Sequence, residues 1–153
     1  MPLLKGGHAV ADAWVHLDDA EPLPPDGVAV TVSGERWERE RAVLLARAAP
    51  VGVRLGNGAP VEPLAADLPR LGLIALHFPK FSDGRAYSQA RRLRRAGYRG
   101  ELRATGNVLQ DQLLLMARVG FDAFQMAASD AERRWQAAVG AYAHFYQPRR
   151  TVA

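Results

Sequence analysis

Two short polar runs in this chain carry the residue types that bind anions or move protons. The first is Phe78-Pro79-Lys80-Phe81-Ser82-Asp83-Gly84-Arg85-Ala86-Tyr87-Ser88. Lys80 and Arg85 supply formal positive charge, and Gly84 permits close backbone approach. A helix beginning just downstream presents free N–H groups and the positive end of its dipole. Sulfate, phosphate and carboxylate groups are held by that combination. Tyr87 and Ser88 complete the candidate set. A purely structural account is also available, in which Ser82 or Asp83 caps the helix, Arg85 pairs with Asp83, and Tyr87 packs.

The second run is Arg103-Ala104-Thr105-Gly106-Asn107-Val108-Leu109-Gln110-Asp111-Gln112. Asn107 with Gln110 three residues later resembles a capping box. Asp111 in a first helical turn gains from the dipole, whereas Gln112 has no such reason to be there. Arg103 falls inside a strand that should be largely apolar. A buried arginine needs a partner, and Asp111 or Asp83 is the expected one. Gly106 sits between the two charged positions. Were the chain an enzyme acting on an anionic substrate, Asp83 and Asp111 would be its acid–base candidates.

Other chemistries are excluded or unsupported. The chain has no cysteine, which removes disulfides, thiol catalysis, iron–sulfur ligation and cysteine-based zinc sites. His8, His16, His77 and His144 show no metal-ligand spacing, and His77, inside an apolar strand, reads as a packed core histidine. No Gly-x-Gly-x-x-Gly, Walker loop or Gly-x-Ser-x-Gly elbow is present, so no motif for a nicotinamide, flavin or phosphoryl-transfer cofactor appears. The basic residues are nearly all arginine, densest in Arg91-Arg92-Leu93-Arg94-Arg95. A net charge of +4 without aromatic platforms or a recognition motif argues for a solvated helix face rather than a nucleic-acid surface. No apolar run approaches the roughly 20 residues of a membrane span, and no signal peptide is read at the N-terminus. A soluble cytoplasmic protein is expected.

The elements that must position these runs follow from periodicity. The 153 residues, 48% apolar and 24% charged, suit a single domain. Leu3-Leu4-Lys5 and His8-Ala9-Val10-Ala11 flank Gly6-Gly7 as a hairpin within residues 1–17. The acidic, proline-rich stretch 18–27 reads as a loop. Strands then begin near residues 28, 51, 73, 101 and 122, each separated from the next by a helical segment. Ser33 caps a helix over 35–48, Pro63 opens a short one, and an amphipathic helix spans 83–96. Asn107 caps the next, which Gly120 stops. Ser129-Asp130-Ala131-Glu132 is a capping box for a last helix whose face carries Trp135, Tyr142, Phe145 and Tyr146, and a tail covers 148–153. The βα repeats of 28–147 predict an α/β fold with a mostly parallel sheet of about five strands, preceded by the hairpin. The open doubly wound form is favoured over part of a barrel. The hairpin is placed to extend a sheet edge or to mediate a homo-oligomer.

The run from Phe78 to Phe124 resembles the domain of unknown function 934 family. The matching text is F-P-K-F-S-D-G-R-A-Y-S, then G-Y-R-G-E-L-R-A-T-G-N-V-L-Q-D-Q-L, then R-V-G-F-D-A-F. Asn107 departs from the family pattern, where an acid is more usual. Members are bacterial proteins typically encoded beside assimilatory sulfite or nitrite reductase genes, and often carry an oxidoreductase label. The resemblance implies an accessory role in sulfite reduction for cysteine synthesis, with sulfite reductase as a partner and no established cofactor. In this reading Lys80, Arg85 and Arg103 hold a small anion while Asn107, Asp111 and Gln112 orient it. A catalytic protein and a purely structural subunit remain the alternatives.

Overall fold

The computed structural model describes residues 2–127 and 129–142. Its strands are β1 (Leu3–Lys5), β2 (His8–Val10), β3 (Val15–His16), β4 (Val30–Ser33), β5 (Val51–Leu55), β6 (Leu71–Phe78), β7 (Glu101–Gly106) and β8 (Ala123–Gln125). They form one sheet in the order β2-β1-β8-β7-β6-β5-β4-β3. Neighbours from β3 to β8 run parallel, and β1 is antiparallel to both β2 and β8. The helices are α1 (Gly34–Leu45), α2 (Arg85–Arg95), α3 (Leu113–Val119) and α4 (Ala131–Tyr142), with 3₁₀ turns at Glu62–Arg70 and Gln110–Gln112.

The five strands read from sequence are β4 to β8. Eight rather than about five strands form the sheet, because the hairpin joins it and the two-residue β3 adds an edge beside β4. Gly6 and Gly7 both take positive φ, 58° and 84°, as a two-residue hairpin turn requires. Leu3 and Leu4 then pair with Gln125 and Phe124 of β8.

From β3 to β8 the strand order never reverses. Right-handed crossovers between sequential parallel neighbours all leave on one side, so the helices collect on one face. Val30, Val32, Val53, Leu55, Ile74, Leu76, Leu102, Ala104 and Phe124 pack there against Trp37, Leu44, Leu93, Leu113 and Met116. This corrects the doubly wound expectation, which needs an order reversal and helices on both faces. The alternate strand positions point to the other face and include Thr31, Arg54, His77, Arg103 and Gln125.

That second face is curled. A flat sheet would put β3 and β7 about 19 Å apart, four strand spacings. Yet one carboxylate, that of Asp12, lies 2.7 Å from Arg103 of β7 and 2.6 Å from His16 of β3. The inner side chains of distant strands therefore converge.

Local signals behave unevenly. Ser33 Oγ accepts from the Arg36 N–H at 3.0 Å, and Gly120 closes α3 in the left-handed region at φ 117°. Asn107 does not cap a helix. Its N–H donates to Phe78 O at 2.7 Å, and the α-helix begins six residues later, after the 3₁₀ turn. Glu132, expected in a capping box, accepts from the Ala9 N–H at 2.7 Å and so ties α4 to the hairpin. Trp135 packs on Phe124, ring centroids 5.7 Å apart. Phe145, Tyr146 and the 148–153 tail lie outside the described residues. Among the described residues no helix is long and apolar enough to cross a membrane.

Candidate functional site

The inner face of the curl opens into a cleft of about 720 Å³. Its floor and near wall come from the last or next-to-last residues of five consecutive parallel strands: Ser33, Leu55, His77, Thr105 and Gln125. His16, Asp18 and Asp19, at and just beyond the end of β3, form the far wall. Parallel strands followed by helices present their βα loops at this end, which is where ligands bind in such sheets.

A continuous line of polar contacts runs beneath the cleft. Lys5 Nζ lies 2.8 Å from Glu101 Oε2, and Arg103 Nε donates to Glu101 Oε1 at 2.9 Å. Arg103 also donates to both oxygens of Asp12, at 2.7 and 3.2 Å. Asp12 Oδ2 meets His16 Nε2 at 2.6 Å, and His16 Nδ1 meets Thr31 Oγ1 at 2.7 Å. Burial pushes the Asp12 carboxyl upward, but hydrogen bonds from Arg103, His16 and the Trp14 N–H outweigh it and bring its pKa down to about 2. Asp12 is therefore a fixed anion that neutralises Arg103, itself 1% exposed. The Asp12–His16–Thr31 line imitates a nucleophile triad, but Thr31 is fully buried and no substrate reaches its hydroxyl. Its role is to lock the curl.

Arg103 thus has its partner, though neither Asp83 nor Asp111 as the spacing predicts. The pairing runs to Glu101 and Asp12, because Arg103 faces the inner side of the sheet while Asp83 and Asp111 lie in loops after β6 and β7. His77 also departs from expectation. It is exposed rather than packed, because its position in β6 alternates onto the cleft face.

Arg54 differs from Arg103. One Nη donates to Leu17 O, its buried Nε has no partner, and among the described residues no carboxylate pairs with it. Ser33, its register neighbour on β4, donates to Asp19 Oδ1 at 2.6 Å. The cleft therefore holds one neutralised arginine and one available arginine.

The first polar run forms a separate, shallow hollow of about 500 Å³ around Lys80, Ser82, Asp83, Gly84, Arg85 and Ser88. Asp83 accepts from the Arg85 N–H at 3.1 Å and from Asn57 Nδ2 at 2.6 Å, and Arg85 Nε stands 3.4 Å away. The Arg85 N–H is the main cause of its lowered pKa; burial opposes it, and Asn57 and the Arg85 charge add to it. The pairing of Arg85 with Asp83 is the structural one read from sequence. Tyr87 packs edge-on against Phe78 at 5.1 Å, and burial raises its hydroxyl pKa.

Of the second run, Arg103 and Thr105 line the cleft. Gly106 takes φ 85° at its corner, and Asp111 is exposed. Gln112 Nε2 donates to Phe81 O at 2.7 Å, which is why that side chain is polar: it staples the two runs together. Behind the hollow, Gln89 of α2 donates to Gly56 O and Ala59 O at 3.0 and 2.8 Å. Those bonds fix the loop after β5, whose Gly56 edges the cleft. Among the described residues no group of three His, Asp or Glu is placed to hold a metal.

Sequence reasoning missed Asp12, His16, Asp18, Asp19, Ser33, Arg54 and Gln125. The signal was available in the strands. Parallel sheets covered on both faces read as continuous apolar runs, whereas Thr31/Ser33, Arg54, Arg103/Thr105 and Gln125 interrupt theirs with polar residues at one parity.

The candidate site is thus a polar cleft at the carboxyl ends of the strands of a curled, singly wound α/β sheet. The family model described as "Bacterial protein of unknown function (DUF934)" matches residues 52–152. The chain belongs to that family. No curated protein matches it.

Proposed function

We propose that this protein is an accessory component of sulfite reduction that binds a small anionic ligand in the cleft. The observation that carries the binding is Arg54, a cleft-lining guanidinium that no carboxylate pairs with among the described residues. The sulfite context rests on the family resemblance, and sulfite reductase is the partner it implies. Acid–base work by Asp83 is the weaker reading, because its carboxylate is engaged by Asn57 and the Arg85 backbone.

Titration calorimetry with sulfite, sulfate and phosphate tests the proposal. Saturable binding that Arg54→Met abolishes, with the variant still folded at the titration temperature, is the expected result. Heat that is equal for wild type and variant removes the cleft from consideration. Co-purification of sulfite reductase with the tagged protein from its own host checks the accessory role separately.

A further inference from the structure

The cleft is far larger than an inorganic oxyanion needs. Its volume of about 720 Å³ falls within the roughly 300–1,000 Å³ typical of organic-ligand pockets. The charges on its wall are also mixed. Arg54, Asp18 and Asp19 all line it, yet among the described residues Arg54 forms no ion pair and the Asp18 carboxylate has no partner. Asp19 accepts from Ser33 Oγ at 2.6 Å. A bare anion on Arg54 would face two carboxylates, and a bare cation on Asp18 would face a guanidinium. A head group bearing both charges satisfies each side.

We infer that the cleft takes a zwitterionic ligand, an α-amino acid head whose carboxylate pairs with Arg54 and whose ammonium pairs with Asp18 and Asp19. This deepens the anion-binding reading and rests on the same cleft. The opposite end carries no unpaired charge: Thr105 and Gln125 line it beside the neutralised Arg103, across the small side chain of Ala75. Two to three strand spacings separate β5 from β7 and β8, about 10–14 Å. That span accommodates a short side chain ending in a neutral hydrogen-bonding group, with His77 standing alongside. Arg103 takes no part, because Asp12 and Glu101 already neutralise it.

The test titrates the intact protein with neutral L-amino acids singly, then with the deaminated and decarboxylated analogues of the best binder. For L-glutamine these are 4-carbamoylbutyrate and 4-aminobutyramide. Both charges contributing means the amino acid binds about tenfold or more tightly than either analogue. Arg54→Met should erase discrimination against the decarboxylated analogue, and Asp18→Asn together with Asp19→Asn should erase it against the deaminated one. Arg54→Lys, which keeps the charge, serves as the second variant should the methionine disturb folding. Sulfite binding with no amino acid binding overturns this inference and leaves the anion reading intact. Equal affinity for amino acid and deaminated analogue also overturns it, and no binding of any probe overturns both.

Discussion

Arg103 and Asp12 stand 91 positions apart in sequence and meet through two hydrogen bonds of 2.7 and 3.2 Å. The contact ties the segment between β2 and β3 to a strand near the middle of the sheet. It closes the curl from inside and sets the depth of the cleft. It also separates two arginines of the same face by role. Arg103 is consumed by structure, at 1% exposure with two carboxylates against it, while among the described residues no carboxylate pairs with Arg54, which lines the cleft.

Removing Asp12 should therefore destabilise the protein rather than simply alter a surface. Breaking one side of a buried pair costs about 3–5 kcal/mol, and Glu101 still holds Arg103 at 2.8 Å. Asp12→Ala is expected at the low end, about 3 kcal/mol by urea unfolding. Adding Arg103→Met, which removes the orphaned charge and keeps the apolar volume, should recover part of that loss. A double variant as unstable as the sum of the singles would show that the pair is not coupled.

Acid titrates the same contact. The Asp12 pKa falls from 3.8 unfolded to about 2 folded, so the folded state binds this proton less readily. Stability from this group is then fully present above pH 4 and is lost as pH falls toward 2. Asp12→Asn, which cannot titrate, should narrow its stability gap to wild type over that window. The check is a pair of urea midpoints, at pH 6 and pH 2.5, for each protein.

Much of this fold was legible because it is periodic. The starts of β4 to β8, the Ser33 cap and the Gly120 stop all follow from local pattern. β3 was not legible, since two residues show no alternation and its pairing with β4 is fixed by the sheet. Strand order left no local trace either, and the polar residues at one strand parity, which mark one-sided helix packing, were passed over by the doubly wound expectation. Arg103 announced that it needed a partner. Its identity was hidden, because Asp12 arrives from another end of the chain through the curl.

Gly106 gives a local test of the cleft corner. It takes φ 85°, and a Cβ there would run into Phe78 O and stand 2.6 Å from His77 Cε1. The left-handed backbone alone costs a non-glycine residue about 1–2 kcal/mol, and a backbone carbonyl cannot yield as a flexible side chain does. Gly106→Ala is expected to cost about 3 kcal/mol and to shift the His77 ring resonances in an NMR spectrum. A neutral substitution would mean that the corner relaxes.

Gln89 acts on the cleft without touching it. It is 5% exposed, and its amide holds Gly56 O and Ala59 O at 3.0 and 2.8 Å. Gln89→Leu fills similar volume but leaves those carbonyls without their donor, at a cost of about 1–3 kcal/mol. Gly56 edges the cleft beside Leu55 and Arg54, so the loosened loop should also let Arg54 move. The expected signature is a modest fall in unfolding midpoint together with weaker ligand binding, and Gln89→Glu should not restore it, because a carboxylate cannot donate to either carbonyl. Stability lost with affinity unchanged would show that the loop after β5 is scaffold only and that Arg54 is positioned by its bond to Leu17 alone.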